Sequence, residues 1–212
     1  MTDFTDMLDG YRRFRNTGWT AQRERWGELA EGQSPRVMVI ACSDSRVDPA
    51  QIFDTNPGEI FVVRNVAALV PPFETTPGLH GVSAALEFAV QVLKVGEVVV
   101  MGHGKCGGCK AALSQDLKDA APGEGGFIHD WISQLDSARD VVISQYGDDR
   151  GPEAERAMER EGVKLSLANL RTFPCVQHKE KSGRLKLVGA VFGIADGQLH
   201  ILDETDGSFS PA

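Results

Sequence analysis

The sequence predicts an α/β fold in which a mostly parallel central β-sheet is flanked by helices, with an N-terminal helical arm and a C-terminal edge strand. Three observations favour this class. Apolar runs rich in β-branched residues alternate with helical patterns, which is typical of parallel strands joined by crossover helices. Helical patterns precede the first strand, and a last strand pattern follows a long helical stretch. At 212 residues the chain fits a single domain, 1–212, with a buried core.

The N-terminal arm, residues 1–32, is predicted to form two helices. Met7, Leu8, Tyr11 and Phe14 recur at helical spacing and form one apolar stripe. A second helix is predicted in WTAQRERWGELAEG. The apolar faces of such helices must pack against another surface. The sequence leaves two alternatives for that surface, the sheet of the same chain or a partner subunit.

Three strands are predicted in the first half of the chain. RVMVIAC (36–42) and EVVVMGH (97–103) are continuous apolar runs, as expected of strands buried on both faces, and EIFVVR (59–64) is a shorter third. The clearest helix spans 78–95, where apolar residues recur at three- and four-residue steps. Past residue 123 the patterns are mostly helical, until LKLVGAVFGIADGQLHIL predicts a strand or hairpin at a sheet edge.

Charge and composition narrow the classes of function. The chain has 30 acidic residues against 22 basic ones, so it carries no diffuse positive field for nucleic acid or anionic lipid. The N-terminus lacks a basic segment followed by an apolar core, and no apolar run approaches the roughly 20 residues that span a bilayer. We therefore expect a cytoplasmic protein with neither a nucleic-acid nor a membrane partner.

Soft metal ligands follow two of the predicted strands. Cys42 ends the first strong strand, and His103 and Cys106 lie at the end of the second, in GHGKCGG. Ligand sites of open parallel sheets gather at the carboxyl ends of the strands, so we expect the three side chains to meet. Two thiolates and one imidazole suit zinc and leave a fourth tetrahedral position free, as in catalytic zinc sites.

Four glycines surround these ligands: Gly102, Gly104, Gly107 and Gly108. We expect them to let the backbone bend sharply around the metal and to leave N–H groups exposed for a small anion near the next helix start. Gly104 and Gly107 are accordingly predicted to bind substrate.

Two other interpretations of this loop stay open. Gly102 to Gly107 matches the G-x-G-x-x-G pattern of dinucleotide-binding folds. In those folds an acidic residue at a strand end, about 20 residues later, binds the ribose, but the nearest acidic residue here is Glu124, which lies in a glycine loop. Cys106 and Cys109 form a C-x-x-C pair at a helix start, which is typical of thiol oxidoreductases but leaves Cys42 and His103 without a task.

The segment CSDSR adds a charged pair beside the first ligand. Asp44 can accept a hydrogen bond from a water on the metal, or it can bind the metal itself as a fourth ligand. Arg46 decides between the two, because a bidentate pair with the guanidinium keeps the carboxylate ionised and off the metal. An ordinary turn with a surface ion pair is the structural alternative.

Taken together, these motifs resemble those of the β-class carbonic anhydrases. ACSDSRVDPAQIF, GEIFVVRNVAALVPP, SAALEFAVQVLKV and VVVMGHGKCGG occur in the order of that family, and C-x-D-x-R with a distant H-x-x-C is highly specific. The resemblance implies a zinc ion held by Cys42, His103 and Cys106, with Asp44 and Arg46 as a catalytic dyad. It implies reversible hydration of carbon dioxide to bicarbonate, in which a zinc-bound hydroxide oriented by the dyad attacks the substrate.

The resemblance also implies a homo-oligomer, a dimer or a dimer of dimers, with the N-terminal helices packed on the neighbouring subunit. The substrate pocket is then apolar and lies at the dimer interface. Phe61, Val66 and Phe88 form its walls, and Gln33 donates a hydrogen bond from the other chain.

Three positions depart from the pattern of the family. Phe88 replaces a tyrosine of many plant-like members, and Cys109 replaces an aliphatic residue, which we interpret as a small buried apolar group. Val39 stands where members with an inhibitory bicarbonate site carry tryptophan. We therefore expect that site to be absent and the form with Asp44 off the zinc to be accessible near neutral pH.

Overall fold

The computed structural model describes residues 2–212. The chain divides into two compact units, one that ends at Ser34 and one that spans Pro35–Ala212. Among the helices of the described residues, none combines the length and apolar character that crossing a bilayer requires.

The N-terminal unit consists of helices α1 (Phe4–Phe14) and α2 (Arg23–Glu31). A reciprocal capping box starts α1, in which the Asp3 and Asp6 carboxylates each accept a hydrogen bond from the other residue's N–H. Helix α1 continues as a wider π-helical turn, Arg15–Trp19. The second predicted helix was therefore placed too early, because Trp19 belongs to the continuation of the first.

The larger unit is built on a six-stranded sheet with the order β2-β1-β3-β4-β5-β6. The first four strands in this order are parallel, and β5 and β6 are antiparallel additions at one edge. The α/β class, the mostly parallel sheet and the C-terminal edge strand are thus confirmed. The strands are β1 Val37–Cys42, β2 Ile60–Asn65, β3 Glu97–His103, β4 Lys186–Phe192, β5 Leu199–Leu202 and β6 Phe209–Pro211.

Helices connect and cover the strands. They are α3 Pro49–Ile52, α4 Gly81–Glu87, α5 Gly107–Ser114, α6 Gly126–Ile132, α7 Asp136–Tyr146, α8 Pro152–Leu170 and α9 Pro174–Lys181. The helix predicted over 78–95 begins only at Gly81, and after Glu87 it widens into a π-helical turn, Phe88–Leu93. Lys94, with a left-handed φ of 58°, ends it.

Alternate residues of the central strands face two different clusters of the core. Met38 and Ile40 of β1 pack in a cluster that includes Leu86 of α4 and Leu167 of α8. Side chains pointing the other way form a smaller cluster around Met101. A third cluster lies beyond the carboxyl ends of β1 and β3, among helices α5 to α8, and surrounds the predicted ligands.

Candidate metal centre

The predicted ligands come together where β1 and β3 end. These strands are parallel neighbours in register, with Ala41 opposite Met101, so Cys42 and His103 leave the same edge of the sheet. The two Sγ atoms and a ring nitrogen of Cys42, His103 and Cys106 all lie within 4.8 Å of one another. All three residues are buried. We refer to residues 42–46 as the β1 loop and to residues 103–106 as the β3 loop.

The imidazole of His103 is oriented for coordination through Nε2. Its Nδ1 lies 2.9 Å from the carbonyl oxygen of Gly104, so Nδ1 carries the proton and donates it to that carbonyl. Nε2 is buried and has no hydrogen-bond partner among the described residues. A buried unpartnered nitrogen is costly in a protein interior, and a cation between the two sulfurs satisfies it.

The two thiols are likewise suited to a cation. The neighbouring thiol of Cys106 and burial raise the pKa of Cys42 to about 12. The neighbouring thiol of Cys109 is the main reason why the pKa of Cys106 also rises to about 12. Metal binding requires thiolates, and a divalent ion supplies the charge that offsets their burial. The donor set of two sulfurs and one imidazole nitrogen therefore fits zinc with one position left open.

Asp44 and Arg46 form the bidentate pair that the sequence offered as one alternative. Arg46 Nε donates to Oδ1 of Asp44 at 2.9 Å, and Nη2 donates to Oδ2 at 2.7 Å. These hydrogen bonds hold the pKa of the Asp44 carboxyl well below its usual range. Oδ2 lies 3.9 Å from Nε2 of His103. The carboxylate is thus beside the ligand cluster and is held by Arg46.

Comparison with known proteins agrees with this geometry. The family model for carbonic anhydrase matches residues 37–199. A carbonic anhydrase of Pseudomonas aeruginosa is 39% identical over 206 residues, which cover 96% of this chain and 90% of the relative. Among solved structures, the β-carbonic anhydrase CcaA superposes with a TM-score of 0.91 at 30% identity, over 99% of this chain and 92% of that one. This chain belongs to the β-carbonic anhydrase family.

Another structure of the family is similar over its whole length. A tetrameric β-carbonic anhydrase of the filamentous ascomycete Sordaria macrospora has a TM-score of 0.81 at 27% identity, and each chain covers 98% of the other. As a β-carbonic anhydrase this protein is a zinc-using lyase, and its Cys42–His103–Cys106 cluster can hold the ion.

The two competing interpretations of the β3 loop lose their support. Cys42 and His103 are not idle, as the thiol-oxidoreductase interpretation required, because both lie in the cluster with Cys106. Cys109 is 4% exposed and packs in the core, as predicted for a small apolar group. Glu124 is exposed in a turn between α5 and α6 and not at a strand end, so the partner of a dinucleotide site is missing there.

The expectation for the glycines was partly wrong. None of Gly102, Gly104, Gly107 and Gly108 has a positive φ, and the left-handed residue of the loop is Lys105, with a φ of 59°. Gly102 and Gly108 are needed for close packing, because a Cβ would lie 2.8 Å from a methyl group of Val163 and of Val66, respectively. The N–H of Gly104 donates to the carbonyl of Phe192, so it is not free to bind an anion.

The predicted pocket residues lie in different parts of the chain. The rings of Phe61 in β2 and Phe88 in the π-helical turn are 5.9 Å apart and tilted by 31°. Val66 directly follows β2, and its side chain meets the position that a Cβ of Gly108 would occupy. Val66 and Phe88 are both exposed apolar residues. Gln33 is exposed in the N-terminal unit.

Two residues support the loops in roles that were not predicted from the sequence. Arg64 of β2 donates to the carbonyl oxygens of Cys42 at 2.9 Å and of Asp44 at 2.6 Å, and it pairs with Asp48 at 3.1 Å. Glu159 of α8 accepts a hydrogen bond from the N–H of Cys106 at 3.2 Å. The sequence pattern that could have indicated Glu159 is its helical spacing from Gly162, Val163 and Ser166, which share its face of α8.

Proposed function

We propose that this protein catalyses the reversible hydration of carbon dioxide to bicarbonate and a proton at the Cys42–His103–Cys106 centre, with Asp44 and Arg46 as its dyad. The observation that supports this most is the convergence of two buried sulfurs and an unpartnered imidazole nitrogen beside an ionised carboxylate. When bound, zinc supplies the Lewis acidity that makes a water molecule a source of hydroxide near neutral pH.

In this proposal Asp44 orients the attacking hydroxyl group. Because both of its oxygens accept hydrogen bonds from Arg46, the carboxylate stays ionised and its position is fixed. It can then accept the hydrogen of the attacking hydroxyl group, which turns an oxygen lone pair toward the carbon of the substrate. The oxygen forms a bond to that carbon, and one pair of carbonyl electrons moves to a substrate oxygen. The proton released in the hydration passes to buffer.

The substrate side of the centre is apolar in this proposal. Carbon dioxide has no net dipole, so it is best held by hydrocarbon surface, which Phe61, Val66 and Phe88 would supply. Gly107 and the partner subunit's Gln33 are proposed to contact the substrate oxygens. Gly104 is proposed to line this site only with its backbone surface, since its N–H is already used.

We further propose a homo-oligomer, either a dimer or a dimer of dimers, in the single-domain arrangement 1–212 with residues 1–32 packed on the partner. The exposed stripe of α1 supports this proposal, since isolated apolar faces of this kind usually mark contact surfaces. Its exposed members are Phe4, Met7, Leu8, Tyr11 and Phe14. The tetrameric Sordaria protein is a precedent within the family. Light scattering of the purified protein measures the oligomeric mass.

The proposed function is tested by metal analysis and stopped-flow assay of the purified protein. We expect about one zinc per chain and carbon dioxide hydration that disappears when zinc is removed. Asp44→Asn is expected to keep zinc and to lower kcat about 100-fold or more, because a carboxamide does not replace the ionised acceptor. Full activity without zinc would contradict the metal centre, and full activity of Asp44→Asn would contradict the dyad.

A further inference from the structure

Glu159 is a buried carboxylate for which the proposed reaction has no direct use. It is 4% exposed and lies on α8 between the buried residues Met158 and Gly162 and next to the end of β3. Burial raises the pKa of Glu159, although hydrogen bonds from the backbone of Cys106 and Lys105 oppose the rise. A buried carboxylate destabilises the fold unless hydrogen bonds compensate for its loss of hydration.

The peptide group between Lys105 and Cys106 is held from both sides. Its N–H, which belongs to Cys106, donates to the Glu159 carboxylate at 3.2 Å. Its carbonyl oxygen, which belongs to Lys105, accepts a hydrogen bond from Nη2 of Arg46 at 3.1 Å. The same Nη2 donates to Asp44. A continuous series of hydrogen bonds thus runs from Glu159 through one peptide group to Arg46 and Asp44.

This peptide group needs support because of the backbone next to it. Lys105 has a φ of 59°, a left-handed conformation that costs a non-glycine residue about 1–2 kcal/mol. Without outside hydrogen bonds, the peptide that follows is free to rotate toward a more favourable conformation. Relaxation of φ at Lys105 would move the Cα of Cys106 and turn the Lys105 carbonyl away from Arg46.

We infer that Glu159 is a positioning residue, which fixes the Lys105–Cys106 peptide and thereby sets both the Cys106 thiolate and the Asp44–Arg46 pair. The inference rests on the proposed function, since it takes Cys106 as a ligand and Asp44 and Arg46 as the dyad. Bonds in such a series polarise one another, so the carboxylate at one end strengthens the hydrogen bond that the carbonyl accepts at the other.

The helix that carries Glu159 is well placed to hold a loop still. Gly102 of β3 and Gly189 of β4 allow α8 to approach the sheet, since a Cβ at Gly102 would lie 2.8 Å from Val163, and one at Gly189 would lie 2.9 Å from Leu167. Packing this tight fixes the position of the helix backbone from which the Glu159 side chain extends.

The variants used for the test are expected to fold. A cavity of about 260 Å³ borders Glu159, Gly104 and Lys105, and it is open to solvent. After truncation of the side chain, water from this cavity can satisfy the N–H of Cys106. The loop then loses its fixed orientation but not its hydrogen bonding.

The experiment compares Glu159→Ala, Glu159→Gln and a control on the same helix, Glu155→Gln. Glu155 is one turn away, and it pairs with Lys110 at 3.2 Å rather than with the loop. For each protein, zinc affinity is measured by chelator competition, the cobalt-substituted form is recorded by visible absorption, and kcat is measured at saturating zinc. The melting temperature of the metal-free form reports on folding.

We expect the Kd for zinc of Glu159→Ala to rise about 10- to 100-fold, which is typical for loss of a partner behind a ligand. Its cobalt spectrum should shift and its kcat should fall even at full loading, because Arg46 has lost a fixed acceptor. Glu159→Gln retains one acceptor oxygen and should recover part of the affinity. Glu155→Gln should match the wild type in all three measurements.

Wild-type zinc affinity, cobalt spectrum and kcat in Glu159→Ala would overturn the inference while leaving the proposed function intact. If Glu159→Ala does not fold, the result rests on Glu159→Gln, and a wild-type spectrum and Kd in that variant would overturn the inference. A wild-type protein without stoichiometric zinc would overturn the proposed function, and the inference with it.

Discussion

The β1 loop and the β3 loop contribute to one site but are held in opposite ways. The β1 loop is supported through its carbonyl oxygens by Arg64, a cation whose side chain is 28% exposed. The β3 loop is supported through an N–H by Glu159, a carboxylate that is 4% exposed. In each case the charge of the supporting side chain matches the backbone group that it contacts, because carbonyls attract cations and amides attract anions.

The difference in burial corresponds to a difference in task. The β3 loop supplies two ligands, and His103 and Cys106 are only 1% and 3% exposed. The β1 loop supplies one buried ligand and then emerges, so that Arg46 is exposed. The comparison indicates that the loop with two of the three candidate ligands is held from inside the fold, whereas the loop with the proposed dyad is exposed to solvent.

The largest effect is expected from removal of a ligand of the β3 loop. Cys106→Ser should lose zinc and activity together, by more than the about 100-fold that loss of an outer partner produces. Cys109→Ser changes a thiol on the same helix start and should keep both. The zinc content and the stopped-flow rate of carbon dioxide hydration are measured for both variants. Loss of activity in Cys109→Ser with retention in Cys106→Ser would instead favour thiol redox chemistry.

A smaller effect is expected from the support of the β1 loop. Arg64→Gln removes the cation from the carbonyls of Cys42 and Asp44, so kcat should fall about 10- to 100-fold, in line with the roughly 1.5–3 kcal/mol of a charged hydrogen bond. Zinc content should stay near one per chain, because Cys42 is still fixed in β1. Arg64→Lys should recover little, since an ammonium does not reproduce the fork of three contacts. A rise in the Kd for zinc as large as that expected for Glu159→Ala would remove the distinction between the loops.

The packing behind the β3 loop predicts an effect on stability. Gly108→Ala places a methyl group 2.8 Å from Val66 and 3.0 Å from Ala67, so unfolding free energy should fall by about 1–3 kcal/mol. Gly107→Ala has no neighbour within 4 Å and should leave stability unchanged or slightly higher. In a chain of this size the first change lowers Tm by about 2–4 °C per kcal/mol. Equal Tm values in calorimetry would show that the loop is not closely packed.

The smallest effect is expected at an ion-pair group that touches neither loop. Arg171 pairs with Glu204 at 2.7 Å and with Glu180 at 2.8 Å, and the hydrogen bond with Arg171 lowers the pKa of Glu204. A carboxyl group whose pKa is lower in the folded state stabilises the fold above its unfolded pKa of about 4.3. That contribution is lost as pH falls through the folded pKa.

For this exposed pair we expect at most about 1 kcal/mol of unfolding free energy. Urea denaturation of the wild type and of Glu204→Gln should differ at pH 7 and converge toward pH 3. A difference that grows on acidification would contradict the sign. The result also gives the background against which pH effects at the two loops can be judged.

The strands and the ligands were predictable because they depend on local patterns. Strand β3 agrees with its predicted range, β1 differs by one residue at one end and β2 by one residue at each end, since buried parallel strands are continuous apolar runs bounded by polar residues. Cys42 and the His103 loop could be brought together because parallel strands end at the same edge.

Features that depend on contacts between distant parts of the chain could not be predicted from local sequence patterns. The helix predicted over 78–95 begins late, because His80 bonds back to the carbonyl of Thr76 and keeps the preceding turn out of the helix. Glu159 lies in EAERAMEREG, where so many charges occur that one on the buried face does not stand out. The role of Arg64 follows from the register that sets it opposite Ala41, which only pairing of the strands defines.

Gly102 and Gly189, which lie beneath α8, have a consequence for how the protein unfolds on heating. With Gly102 and Gly189 bringing this helix against the strands, the backbone that carries Glu159 is displaced only when the helix separates from the sheet. Opening of that kind belongs to the global transition rather than to a local fluctuation. Ion release and melting should then occur as one cooperative event, and amides of α8 should exchange with deuterium no faster than those of β3.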